Sequence, residues 1–359
     1  MGRLPDDLCL LVAAALHGRS PDPEPFRTTT AEEWSELFRL ASVQGVTALA
    51  LDGIEQLPVE LLPPKPMLLR WVANADAVEK RYSRQAEVLG ALASYYARNG
   101  IRTLVLKGLG LSIYYPNPSH RECGDIDIWL YGAFEQGNRL LREKGVEIER
   151  EVPKHAEFTL GKVHIENHRT FLNVRRNRRE REINDRLEKI IGQHPDECIP
   201  FGKGEVRIPP ADFNALYLVF HAALHFAKEG IALRHLCDWV CFLEKSAGQI
   251  DRQLLDETLR RYRLDTFADL MTALCSELLD LPVAPPPCDA TLKEKMKEAI
   301  FNDVVGQALT GNPLNRLLKK TTASFNNRWR YEEVLHEPLY KVWSEVIRAQ
   351  FREKNTLLK

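Results

Sequence analysis

The stretch Arg121–Leu130, RECGDIDIWL, sets two aspartates and two isoleucines in alternation from Asp125 to Ile128. Side chains alternate faces along a β-strand, so residues two apart point the same way, about 6–7 Å apart. Ile126 and Ile128 are thereby predicted to enter a core, with Asp125 and Asp127 together on the opposite face. Like charges at that separation repel unless a cation lies between them. An edge strand exposing both carboxylates to water is the plainer alternative. The flanking segments bear on the choice.

Upstream, RTLVLKG (102–108) is a short, mostly apolar strand running into a glycine. A turn from strand to helix start presents backbone N–H groups that favour a phosphate. Downstream, HAEFTLGKVHIENH (155–168) has the pattern of a hairpin turning at Gly161-Lys162. Val163 and Ile165 then point one way, and His164, Glu166 and His168 the other. Glu166 supplies a third carboxylate on a strand able to pair beside the first. Hard cations such as Mg²⁺ prefer carboxylate and phosphate oxygens, and two-metal phosphoryl or nucleotidyl transfer clamps both attacking and leaving oxygens. A solvated edge strand explains neither the LKG turn nor Glu166.

Together, LVLKG, RECGDIDIWL and VHIENH resemble the nucleotidyltransferase superfamily of the DNA polymerase β type. Within it they are most similar to a bacterial branch labelled NTP_transf_5. The resemblance covers residues 101–170 best and extends more weakly to FHAALHFAKEGIALRHLCDW (220–239). It implies an α+β fold: a small mixed β-sheet nucleotidyltransferase core flanked by N-terminal and C-terminal helical regions. It also implies transfer of a nucleoside monophosphate from an NTP to an acceptor hydroxyl, dependent on Mg²⁺ (or Mn²⁺), with pyrophosphate leaving. Asp125 and Asp127 match the metal-binding pair. Glu166 matches the third carboxylate, which binds the second metal or draws the acceptor proton. Two departures mark this chain. Lys107-Gly108 stands where the superfamily has Gly-Ser, so a lysine replaces a hydroxyl near the phosphates. The spacer before Asp125 is also lengthened by YYPNPSH.

Other polar residues admit two readings each. Arg121 could meet a phosphate or neutralise Glu122 or Asp125; with Lys107, Gly108 and His168 it is assigned to nucleotide binding. His155 and His164 are assigned to the acceptor side, as positioning groups, because nucleotidyl transfer needs metals and alignment more than a histidine base. His221 and His225 lie four apart, on one helical face, and Arg234 and Asp238 repeat that spacing after a break at Gly230. With His235 these residues either satisfy one another inside a bundle or line the cleft that selects the acceptor; the cleft is the expectation. A zinc pair at His221 and His225 lacks the glutamate of a zinc protease and any ligand fixed by spacing. The run Arg175, Arg176, Arg178, Arg179 and Arg181 contains the i,i+4 pairs Arg176–Glu180 and Arg178–Glu182, which suit a solvated helix face. An anionic ligand is the alternative.

Around the core, residues 1–80 form an expected N-terminal helical region, 81–172 the α/β core and 173–359 a C-terminal helical domain. Thr30 and Glu33 have the spacing of a capping box, and a long helix ends at Asn99-Gly100. After Phe171 the helical pattern is expected to hold to the end. Lys+Arg is 49 against 50 Asp+Glu, a net charge of −1, which disfavours extended nucleic acid as partner. The seven cysteines form no C-x-x-C pair, and no stretch approaches the roughly 18–20 apolar residues of a membrane span. A cytoplasmic enzyme with a small-molecule acceptor is the favoured expectation. The alternatives are a toxin-type transferase acting on protein or tRNA, and a non-catalytic nucleotide-binding regulator.

Overall fold

The computed structural model describes residues 3–193, 197–302, 325, 327–341, 343 and 344. Four helices come first: α1 (Arg3–His17), α2 (Ala31–Gln44), α3 (Thr47–Ile54) and α4 (Lys65–Arg98). α2 starts on the expected capping box. Thr30 Oγ1 accepts from the Glu33 N–H at 3.2 Å, and Glu33 Oε2 accepts from the Thr30 N–H at 2.8 Å. This satisfies two of the N–H groups a helix start leaves unpaired.

The sheet then begins with β1 (Leu104–Leu106), which runs into the short helix α5 (Lys107–Leu111). Next come β2 (Ile126–Trp129), α6 (Phe134–Glu143), β3 (Arg150–Glu151), β4 (His155–Leu160) and β5 (Val163–His168). The segment GVEIEREV, with strand character in sequence, contributes only the two exposed residues of β3. Helix α7 (Arg178–Gln193) follows, and then the chain departs from the expected unbroken helix. β6 (Glu197–Phe201) and β7 (Gly204–Ile208) form a second hairpin, turning at Gly202 with φ +52°. The mixed sheet runs β3-β4-β5-β2-β1-β7-β6, with β1–β7 and β2–β5 parallel. Pro200 obscured β6 as a strand; it is tolerated because β6 is the edge, where a missing N–H breaks no interior ladder.

The hairpin sits backbone-to-backbone on α4. A Cβ on Gly90 would stand 2.0 Å from the Phe201 carbonyl oxygen, and one on Gly204 would stand 2.1 Å from that of Gly90. Gly90→Ala must therefore push helix and hairpin apart. The expected cost is about 1–3 kcal/mol, seen as a lower urea midpoint at unchanged slope. An unchanged midpoint would mean the two backbones are not in contact.

Sheet alternation divides the interior. Val105, Ile126, Ile128, Phe158 and Ile165 pack with Leu89, Leu92 and Tyr96 of α4 on one face. On the other, Leu104, Leu106 and Trp129 join a core shared by the first helices and by α8 (Ala211–Lys228), α9 (Leu233–Ser246), α10 (Arg252–Arg261), α11 (Asp265–Leu278) and α12 (Ala290–Asn302). Gln44 ties the two helical groups together: its Nε2 donates to Ile300 O at 2.9 Å and its Oε1 accepts from the Leu233 N–H at 2.6 Å. Among the described residues, no helix is long and apolar enough to cross a membrane.

Candidate active site

Register places the charged groups. Asp127 on β2 pairs with Glu166 on β5, which pairs with Glu157 on β4; one step along, His168 pairs with His155. Three carboxylates in one row across the sheet would repel, so each is met by a cationic or imidazole neighbour. Lys107 Nζ lies 3.1 Å from Asp127 Oδ1. His168 Nε2 lies 2.8 Å from the same oxygen and 3.2 Å from Glu166 Oε2. His155 places Nδ1 3.1 Å from Glu166 Oε2 and Nε2 2.9 Å from Glu157 Oε1.

These contacts bias the buried carboxylates and the lysine toward their charged forms. Burial pushes the Asp127 carboxyl up, but Lys107 and then His168 outweigh it and hold the group below its ordinary value. Glu166 behaves alike: burial opposes ionisation, and the His155 and His168 imidazoles close beside it hold it well below the carboxylate range. For Lys107, burial favours the neutral amine, yet Asp127 prevails and raises its pKa. Asp125 lies just ahead of β2, exposed at the mouth. Partial burial raises its carboxyl, with His164 opposing and Glu166 adding to the rise. The donor atoms of Asp125, His164 and Glu166 all lie within 4.8 Å of one another.

The turn after β1 is conformationally demanding. Gly108 has φ +40° and ψ −114°, closed to other residues, and Lys107 itself has φ +23°. The lysine is thus aimed back over the sheet toward Asp127 instead of outward to solvent.

Beyond the carboxylates opens a pocket of about 290 Å³, lined at one end by Lys107, Asp125 and Asp127. His221 and His225 from α8, and Arg234, His235 and Asp238 from α9, line it as well. His221 Nε2 lies 3.3 Å from Lys107 Nζ, and the His221 and His225 rings are 4.4 Å apart. Arg234 makes no hydrogen bond or ion pair among the described residues. Arg121 and Asp238, both assigned by sequence to ligand contacts, are engaged with each other. Arg121 donates from Nε at 3.0 Å and Nη2 at 2.7 Å to the two carboxylate oxygens, and Tyr115 Oη donates to Oδ1 at 2.6 Å. The alternative partner Glu122 instead accepts from the Thr47 N–H at 2.7 Å. In the arginine run, both i,i+4 pairs form, at 2.8 and 2.6 Å.

Three neighbours escaped the sequence reading. Glu157 was legible, two residues after His155 on the same strand face. Lys154, its ammonium destabilised by burial and by Lys107, carried no signal. Tyr217, whose buried hydroxyl has no hydrogen-bond partner among the described residues, looks in sequence like any core aromatic.

Residues 30–280 match the family described as uncharacterised nucleotidyltransferase, NTP_transf_5. The chain belongs to that nucleotidyltransferase family. The matched span takes in the whole sheet, the carboxylate row and α8 to α11. A crystal structure of an antigenic nucleotidyltransferase-like protein from Paracoccidioides brasiliensis is a distant likeness: 14% identity, 57% of this chain, 97% of the other, TM-score 0.34. No curated protein matches the sequence.

Two buried imidazoles set an acid limit on the stability of the fold. Burial, then Arg234, pushes His235 down to about 3; burial, then Lys107, pushes His221 well below its ordinary value. Unfolded histidines take up a proton near 6.5. Below that pH the unfolded chain binds more protons than the folded one, so stability falls as pH falls, by up to about 1.4 kcal/mol per pH unit for each imidazole. Urea titrations from pH 7 to 5 should show this slope, and His235→Gln should reduce it. An equal slope in the variant would mean His235 is protonated in the folded protein.

Proposed function

We propose that this protein transfers a nucleoside monophosphate from an NTP to a hydroxyl of a small-molecule acceptor, releasing pyrophosphate, with Mg²⁺ or Mn²⁺ as cofactor. One observation carries this: Asp125 and Asp127, with Glu166 beside them on the next strand, meet Lys107 at one end of a pocket also lined by three imidazoles and by Arg234, which has no ion pair among the described residues. A divalent ion bound there would neutralise phosphate charge and polarise the phosphorus under attack.

The donor set fits such an ion, since ionised carboxylate oxygens are what hard cations prefer. Asp125 and Asp127 would hold it, with Glu166 as third ligand or as the base that takes the acceptor proton. Lys107, held as an ammonium by Asp127, would receive phosphate oxygens at the Gly108 turn. His221, His225, Arg234 and His235 would shape the remainder of the pocket around the acceptor or the anionic end of the NTP. A volume of about 290 Å³ suits a small molecule, and a net charge of −1 offers no basic field for a long polyanion. A cytoplasmic setting suits a consumer of NTPs.

The test is incubation with each α-³²P-labelled NTP, Mn²⁺ or Mg²⁺, and a metabolite extract. Label should enter a low-mass product in step with pyrophosphate release, for wild type and not for Asp127→Asn. Label found in protein or RNA instead would overturn the small-molecule acceptor. Absence of transfer from every NTP would overturn the reaction.

A further inference from the structure

We propose that Glu166 also belongs to an inner site that takes a nitrogen-preferring divalent transition metal, with His155 and His168 as its imidazole ligands. This rests on the same carboxylate centre but assigns to the two histidines a part that nucleotidyl transfer on oxygen-bound Mg²⁺ does not need.

Sheet register brings the set together. His155 and His168 are opposed across the β4–β5 pair, and Glu166 lies two residues before His168 on the same face. His155 Nδ1, His168 Nε2 and a Glu166 carboxylate oxygen lie within 4.8 Å of one another. Both nitrogens converge on the one oxygen Oε2, at 3.1 and 3.2 Å. The far side of each ring is already anchored. His155 Nε2 stands 2.9 Å from Glu157 Oε1, and His168 Nδ1 stands 3.4 Å from the Thr170 carbonyl. An imidazole that donates outward to a carboxylate or carbonyl turns an unprotonated nitrogen inward, the usual arrangement of a metal-bound histidine.

The inward nitrogen of His168 meets Asp127 Oδ1 at 2.8 Å, whereas that of His155 lacks a proper partner. His155 Nδ1 is closed to solvent and makes no aligned hydrogen bond, although Glu166 Oε2 is 3.1 Å away. With Nε2 as the donor to Glu157, a neutral His155 ring turns its Nδ1 lone pair toward that oxygen, a repulsion that a cation between them relieves. Two imidazoles and one carboxylate suit Mn²⁺, Fe²⁺, Co²⁺ or Zn²⁺ far better than Mg²⁺. Asp127, 2.8 Å from His168 Nε2, lies close enough to link this inner position to the outer one at Asp125.

The test uses the full chain and reads the metal, not turnover. Co²⁺ added to metal-stripped protein should give visible ligand-field absorption, and Mn²⁺-loaded protein should show ¹⁴N coupling from imidazole by pulsed electron resonance. His155→Gln should weaken Co²⁺ binding at least tenfold and reduce the ¹⁴N signal, with folding checked by circular dichroism. Asp125→Asn, at the outer position, should keep both signatures. Millimolar Mg²⁺ should not displace the bound Co²⁺. Wild type without ¹⁴N coupling, or Co²⁺ held equally by His155→Gln, would overturn the inner site and leave the histidines as hydrogen-bond donors to the carboxylates. Nitrogen-bound metal without nucleotidyl transfer would instead overturn the proposed reaction while upholding the site.

Discussion

Asp127→Asn is expected to lower turnover by about 10²–10³-fold or more, the scale on which loss of one preorganised electrostatic group acts. Asp127 is buried and meets both Lys107 and His168, so an amide removes the charge that organises the centre. Lys107 would be left as a buried ammonium without its counter-charge, and metal-dependent NTP affinity measured by calorimetry should vanish. Asp125→Asn should reduce turnover in the same direction with little change in melting temperature, because Asp125 is exposed. Glu166→Gln should slow turnover by orders of magnitude and keep much of the nucleotide affinity if it takes the acceptor proton. Wild-type turnover in Asp127→Asn would remove the metal assignment altogether.

The largest stability effect is expected at the pocket wall. Arg121 and Asp238 are both buried, and each satisfies the other through two parallel hydrogen bonds. Arg121→Met leaves Asp238 with only the Tyr115 hydroxyl, and an uncompensated buried charge costs about 3–5 kcal/mol. Asp238 is held below its ordinary pKa against the opposing effect of burial, chiefly by Arg121. Arg121→Met with Asp238→Leu should recover most of the loss, since two apolar groups of similar shape leave no charge behind. Denaturant titration of wild type and the two variants checks this. A single variant as stable as wild type would show that the pair is not buried in solution.

How much was legible follows from how local each signal is. The alternation of Asp125 to Ile128 and of Val163 to His168 is written in consecutive residues, so the core face, the carboxylate face and the hairpin turn at Gly161 could be read directly. That Glu166 stands beside Asp127 depends on parallel pairing of β2 with β5, which the spacing allowed but did not fix. The Arg121–Asp238 bond spans 117 residues and leaves no local trace. Each partner alone admitted both a ligand-binding and a structural reading, and neither pointed to the other. The 197–208 hairpin was hidden for another reason: its strands are short, partly charged and interrupted by Pro200, as an edge requires.

The shared core of the first and last helices has a bearing on how the chain assembles. His17 meets the carbonyl of Leu279, 262 residues later, at 2.7 Å. At synthesis rates of about 5–20 residues per second, the segment carrying that partner emerges on the order of ten to fifty seconds after α1. Through that interval Leu8, Leu11 and Val12 of α1, all fully buried in the finished protein, bury themselves chiefly against α2 and α3. Closure over so long a loop also slows the last folding step, because its entropy is lost before the contacts form. The newborn N-terminal helices are therefore the segment in which chaperone dependence and aggregation should concentrate.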